Sequence, residues 1–162
     1  MLRFRALILL LCLCLPLTAW AEEEGDSTGL PIPRFVSLRY EEVNVRTGPG
    51  QRYPIRWVYQ REHLPMEVVE EYGHWRKVQD YTGDGGWVHK SQLSGSRTVV
   101  LMEDTTLKRY PEAAAPPMLR AQQGVVGEVL ECDVEWCEIQ IESMKAWIGK
   151  SSIWGVYSRE II

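Results

Sequence analysis

Beyond its first 21 residues the chain has no long apolar run, no cluster of basic residues and no window with a sustained helical period. Each absence excludes something. A membrane-spanning helix takes about 20 consecutive apolar residues, so membrane insertion is not expected after the N-terminal segment. Nucleic acid and anionic lipid both call for clustered Lys and Arg, and no such cluster follows Arg5. The chain instead carries 18 basic and 22 acidic residues, a net charge of −4. No histidine follows His89, and no nucleophile elbow, HExxH helix or phosphate loop occurs. The carboxylates Glu70, Glu71, Glu131 and Glu142 read as a solvated acidic face rather than a glycosidase pair. No cofactor or metal site is expected.

What is present begins with a leader. Met1-Leu2-Arg3-Phe4-Arg5 is a basic start, Ala6 to Leu17 is apolar apart from Pro16, and Ala19-Trp20-Ala21 offers small residues at the −3 and −1 positions of a cleavage site. This is the layout of a signal peptide over 1–21. Its removal takes Arg3 and Arg5 and leaves 16 − 22 = −6. The expected location is periplasmic or secreted. Residues 22–33, rich in acids, Gly and Pro, read as an extended or disordered leader.

The remainder contains one stretch twice. Val68 to Val78 is followed by Trp87-Val88-His89-Lys90-Ser91-Gln92-Leu93-Ser94-Gly95. Val129 to Ile139 is followed by Trp147-Ile148-Gly149-Lys150-Ser151-Ser152-Ile153-Trp154-Gly155. Short alternating segments separated by glycine-rich turns indicate strands, with one turn of 3₁₀ helix at Lys90–Leu93. The expected fold is all-β: two tandem small barrels over 34–97 and 98–162, packed together because units of about 60 residues are marginal alone. Thr106–Arg109 is aligned with Val43–Arg46. Trp75, Trp87, Trp136 and Trp147, locked to the repeat, are expected to fill the cores, and Trp154 to plug the junction.

Cys132 and Cys137 remain after signal removal and flank a hairpin tip. In an oxidising compartment they form a disulfide, stay as two buried thiols, or bind metal with ligands that the sequence does not supply.

The run Asn44-Val45-Arg46-Thr47-Gly48-Pro49-Gly50, then Tyr53-Pro54, Trp75 and Gly86-Trp87-Val88, resembles the bacterial SH3-like domain. Tyr53–Arg61, Leu64–Val68, Trp136-Cys137 and Ile153-Trp154-Gly155 are similar to small secreted alphaproteobacterial proteins with two such units. In the second unit the motif departs to Thr106-Leu107-Lys108-Arg109-Tyr110-Pro111-Glu112. The resemblance implies a non-catalytic envelope module that binds peptidoglycan or an extended peptide of an envelope protein. The alternative is a purely structural protein–protein role. Aromatic side chains near the TGPG loop (Tyr53, Trp57, Tyr59) and in turns (Tyr72, Tyr81) are the candidate ligand contacts. Arg46 is the candidate partner for a carboxylate.

Overall fold

The computed structural model describes residues 23–162. The signal peptide expected over 1–21 lies outside the described residues. Among the described residues no helix is long and apolar enough to cross a membrane.

Among the described residues sixteen short strands follow one another in chain order. A hairpin of β1 (Glu23–Glu24) and β2 (Pro31–Ile32) comes first. Next come β3 (Arg34–Leu38), β4 (Glu42–Arg46), β5 (Ile55–Gln60), β6 (Pro65–Tyr72), β7 (Trp75–Gln79), β8 (Gly85–His89) and β9 (Leu93–Ser94). They form a seven-stranded sheet ordered β5-β4-β8-β7-β6-β3-β9. The second set is β10 (Thr98–Leu101), β11 (Thr105–Lys108), β12 (Pro117–Ala121), β13 (Val126–Cys132), β14 (Trp136–Ile141), β15 (Met144–Gly149) and β16 (Ile153–Trp154). Its order, β12-β11-β15-β14-β13-β10-β16, repeats the first strand for strand. The 3₁₀ turns Lys90–Gln92 and Lys150–Ser152 occupy matching places.

The repeat extends to irregularities. Register shifts fall at Val68/Glu70 and Val129/Glu131, and at Val45/Arg46 and Leu107/Lys108. The last pair corrects the expected alignment by one residue. Arg46 faces Trp87 and Lys108 faces Trp147, so Thr105–Lys108 takes the place of Val43–Arg46. The loops that follow share a backbone. Thr47 N donates to Pro54 O, Gly50 N to Gly48 O and Tyr53 N to Gly50 O. Arg109 to Pro116, Glu112 to Tyr110 and Ala115 to Glu112 repeat these bonds at the same spacing.

Each unit has its own core. The first joins Leu38, Val43, Val45, Leu64, Met66, Val68, Val78, Val88 and Leu93. The second includes Val99, Leu101, Leu107, Val129, Ile139, Ile148 and Ile153. Trp75, Trp136 and Trp147 are only half-buried and belong to neither cluster, contrary to expectation. On β7, Arg76 and Val78 point inward and Trp75 lies on the half-exposed face. Side chains alternate along a strand, so residues 75 and 78 cannot share a face. Of the four repeat-locked tryptophans only Trp87 is buried.

The leader, expected to be extended or disordered, forms a short hairpin from Glu23 onward. Glu71 holds its hairpin: the carboxylate accepts from Ser27 N at 3.2 Å and Thr28 Oγ1 at 2.9 Å. Arg34 and Arg76 pair with the same carboxylate.

The units are in contact. Phe35 of β3 packs against Trp154 (4.9 Å between centroids) and Tyr157 (4.7 Å). Tyr157 Oη donates to Glu67 at 2.8 Å and Thr98 Oγ1 to His63 O at 2.7 Å. Arg97, at the junction, donates to Gly155 O and binds both oxygens of Glu160. That fixes the C-terminal segment, which ends with Ile162 exchanging backbone hydrogen bonds with Cys132.

Candidate functional site

The first candidate surface grows out of β4, β5 and the two loops beside them. From Val43 to Gln60 the sequence holds three arginines, and Arg61 follows, with no acidic residue in between. Strand β5 is an edge strand, so it keeps one free face and one free edge. Arg46 Nη1 donates to Tyr53 O at 2.8 Å and Gln51 O at 3.2 Å, closing the loop. The Tyr53 ring lies against Gly48, where any β-carbon would come within 2.5 Å of the ring. Arg52 stands 5.3 Å from the Tyr53 centroid and Arg56 4.7 Å from that of Trp57. Such cation–aromatic contacts favour the charged, extended arginine.

Trp57 and Tyr59 meet edge to face at 6.0 Å. Tyr59 Oη donates to Asp80 Oδ2 at 2.8 Å. Burial and the Asp80 carboxylate push the phenol far above its usual range, so it stays protonated. Asp80 also accepts from Thr82 N, Thr82 Oγ1 and Asp84 N, which orders the turn carrying Tyr81. Beside this turn is a groove of about 290 Å³ whose lining includes Arg46, Arg56, Lys77, Asp84 and Trp87.

The structure therefore gathers Arg46, Tyr53, Trp57 and Tyr59 and ties the Tyr81 turn to them. Tyr72 is separate. It lies 65% exposed at the β6–β7 tip, the opposite end of β7 from the Tyr81 turn. Arg46 is partly occupied by its own loop, which leaves Arg52 and Arg56 as the freer cations.

Cys132 and Cys137 are bridged across β13 and β14. They occupy the cross-strand position that Glu71 and Arg76 hold in the first unit. A bridged cysteine is no nucleophile, and the three histidines lie in the other unit. Among the described residues no group of three or more His, Cys, Asp or Glu could hold a metal.

A larger hollow lies in the second unit and was missed by sequence reasoning. It measures about 730 Å³, and Thr105, Lys108, Trp136, Ile148, Gly149 and Ser151 are among its lining residues. Its signal was the variable position inside Trp-x-x-Lys-Ser, His89 in one copy and Gly149 in the other.

Two segments, 39–95 and 106–155, match the family model described as bacterial SH3 domain. The chain belongs to the bacterial SH3 domain family. Each match falls within one seven-stranded sheet of the SH3-like pair. A curated relative is the Bacillus subtilis (strain 168) protein named "Putative N-acetylmuramoyl-L-alanine amidase YrvJ", 28% identical over a 126-residue alignment that covers 70% of this chain and 24% of that one. The chain thus spans about a quarter of that relative's length. Solved structures of NlpC2 and NlpC1 from Trichomonas vaginalis align with TM-scores of 0.35 and 0.34 at 10% identity. They cover 75% and 80% of this chain and 48% of each of theirs. At that level neither bears on function.

Proposed function

We propose that this SH3-like protein is a non-catalytic binding module of the cell envelope, exported by removal of residues 1–21, with domains at 34–97 and 98–162. Its ligand is peptidoglycan, recognised through the first unit. The observation that carries this reading is the acid-free, arginine- and aromatic-bearing edge β5 on an otherwise acidic protein. An extended peptide can run along such an edge by backbone pairing while its carboxylates meet Arg52 and Arg56. Peptidoglycan stem peptides supply both features. The amidase name of the curated relative supports the same ligand class. The disulfide removes the only cysteines of the described residues as nucleophiles, which supports a binding role.

Sedimentation with purified sacculi tests this. Retention that survives moderate salt is expected, with a several-fold drop in the Arg52→Glu/Arg56→Glu variant. Both side chains are exposed, so the variant keeps the fold. Replacing Tyr53 and Trp57 by Ala should also lower retention. Absence of retention, or retention indifferent to the arginine reversal, sinks this site and favours a protein partner.

A further inference from the structure

We infer that the second unit carries a distinct sugar-ring site floored by Trp136. The two units differ here by one side chain. Trp75 and His89 are register partners across β7 and β8, and Trp136 and Gly149 are the matching partners across β14 and β15. In the first unit the imidazole of His89 stands edge-on to Trp75 at 5.4 Å, with Nδ1 at 2.7 Å from Ser91 Oγ. In the second unit that place has no side chain. The backbone does not demand glycine. Gly149 has φ −68° and ψ 138°, open to any residue, and an added β-carbon would meet only Ser151 Oγ, at 3.8 Å. Glycine removes the ring that stands against Trp75 in the first unit; Trp136 stays half-buried, and its free part lines the groove of about 730 Å³.

The lining defines the ligand. Pockets of 300–1,000 Å³ are usual for small molecules. Trp136, Val134 and Val156 provide apolar surface; Thr105, Thr106 and Ser151 provide hydroxyls at the edges. A pyranose needs this combination: its C–H face packs on an indole while its hydroxyls exchange hydrogen bonds at the rim. Lys108 lines the groove and has no ion-pair partner among the described residues. It suits an acidic substituent on the ring. Trp136, Val134 and Glu135 also border a second depression of about 440 Å³ beside Pro111. The ligand can therefore extend past one ring.

The choice of a cell-wall glycan rests on the function proposed above, so the test separates the two. The probe is N,N′,N″-triacetylchitotriose titrated into the purified full chain, read by the NMR shift of the Trp136 indole N–H. Saturable binding is expected. Gly149→His, which installs the first unit's own residue, should weaken it at least tenfold while the rest of the spectrum stays unchanged. Arg52→Glu/Arg56→Glu should bind the sugar as the parent does. No shift at millimolar sugar, or equal binding by Gly149→His, overturns the inference. Sacculus retention without sugar binding removes this site and leaves the first-unit reading standing. Sugar binding at Trp136 without sacculus retention does the reverse.

Discussion

At one cross-strand position the two units solve the same problem differently. Glu71 and Arg76 face each other across β6 and β7; Cys132 and Cys137 face each other across β13 and β14. All four are buried. A buried ion pair tolerates loss of one partner badly, at about 3–5 kcal/mol, because the other charge is stranded. A disulfide closing so short a loop contributes roughly 2 kcal/mol on the chain-entropy estimate. The ion pair does something the disulfide does not: its carboxylate also receives Ser27, Thr28 and Arg34 and so docks the N-terminal hairpin. Burial by itself would raise the Glu71 pKa, but hydrogen bonds from Arg34 and Thr28 and the charge of Arg76 hold it below the ordinary carboxylate range. A carboxylate depressed on folding contributes stability above its unfolded value, about 4.3, and loses that contribution as pH falls through the folded value. Hairpin docking is therefore constant at neutral pH and fails in acid. Amide protection at residues 25–30, relative to the intrinsic exchange rate at each pH, should fall below about pH 4 in the parent. In Glu71→Gln protection should be low already at pH 7, with little further change. Slow exchange retained by Glu71→Gln at pH 7 would show that the carboxylate does not hold the hairpin.

The β7–β8 hairpin has little tolerance at its turn. A β-carbon on Gly85 would sit 1.8 Å from Val78 O, inside the ladder that aligns Lys77 with Trp87. Gly85→Ala must push the strands apart and disturb the groove beside Trp87. We expect a loss of about 3 kcal/mol in urea unfolding, at the upper end for overpacking. Gly95→Ala is the control: its β-carbon meets nothing within 4 Å, so the effect should stay within about 0.5 kcal/mol. Equal midpoints for the two variants would refute the close-packing argument. Elements of this kind were readable in the sequence. The turn glycines, the 3₁₀ turn at Lys90–Leu93 and the succession of short strands follow from two copies agreeing with one another. Three features did not come through. Trp87 is buried as its repetition implied, but Trp75, Trp136 and Trp147 are not, because the two-residue alternation of a strand puts each of them opposite the core face. The Lys108 register slipped by one because the loop after β11 keeps only two residues of its counterpart, Pro111 for Pro49 and Pro116 for Pro54, beside the backbone bonds. The leader read as disordered because its order depends on Glu71, more than 40 residues away. The site was legible as residues but not as a surface: Tyr72 and Tyr81 look alike in sequence, and only the pairing of β7 puts them at opposite ends.

For the molecule as a whole, the question is whether two marginal units behave as one. Their junction is small but chemically continuous. Phe35 of the first unit is buried against Trp154 and Tyr157, with Arg97 at 5.7 Å from its ring. Val126 of β13 packs on the first core, whereas its neighbour Val125 packs on the second. Arg97 then clamps the C-terminal segment through Glu160, and that segment runs on to Cys132. A disturbance at Phe35 thus reaches both the junction and the tail that lies along the second unit. This arrangement predicts coupled unfolding, a single calorimetric transition for the parent protein. Phe35→Ala removes the ring that both Trp154 and Tyr157 touch, a change that costs about 3–5 kcal/mol at a buried aromatic. The loss falls on the junction, because Phe35 belongs to neither core cluster. Two transitions should then appear, the first-unit and second-unit melts separating as their shared surface is lost. If Phe35→Ala still melts in one transition, displaced but undivided, the coupling runs through Val126 and the Thr98–His63 hydrogen bond instead. Thr98→Val, which deletes that bond at nearly constant volume, would then be the variant that splits the melt.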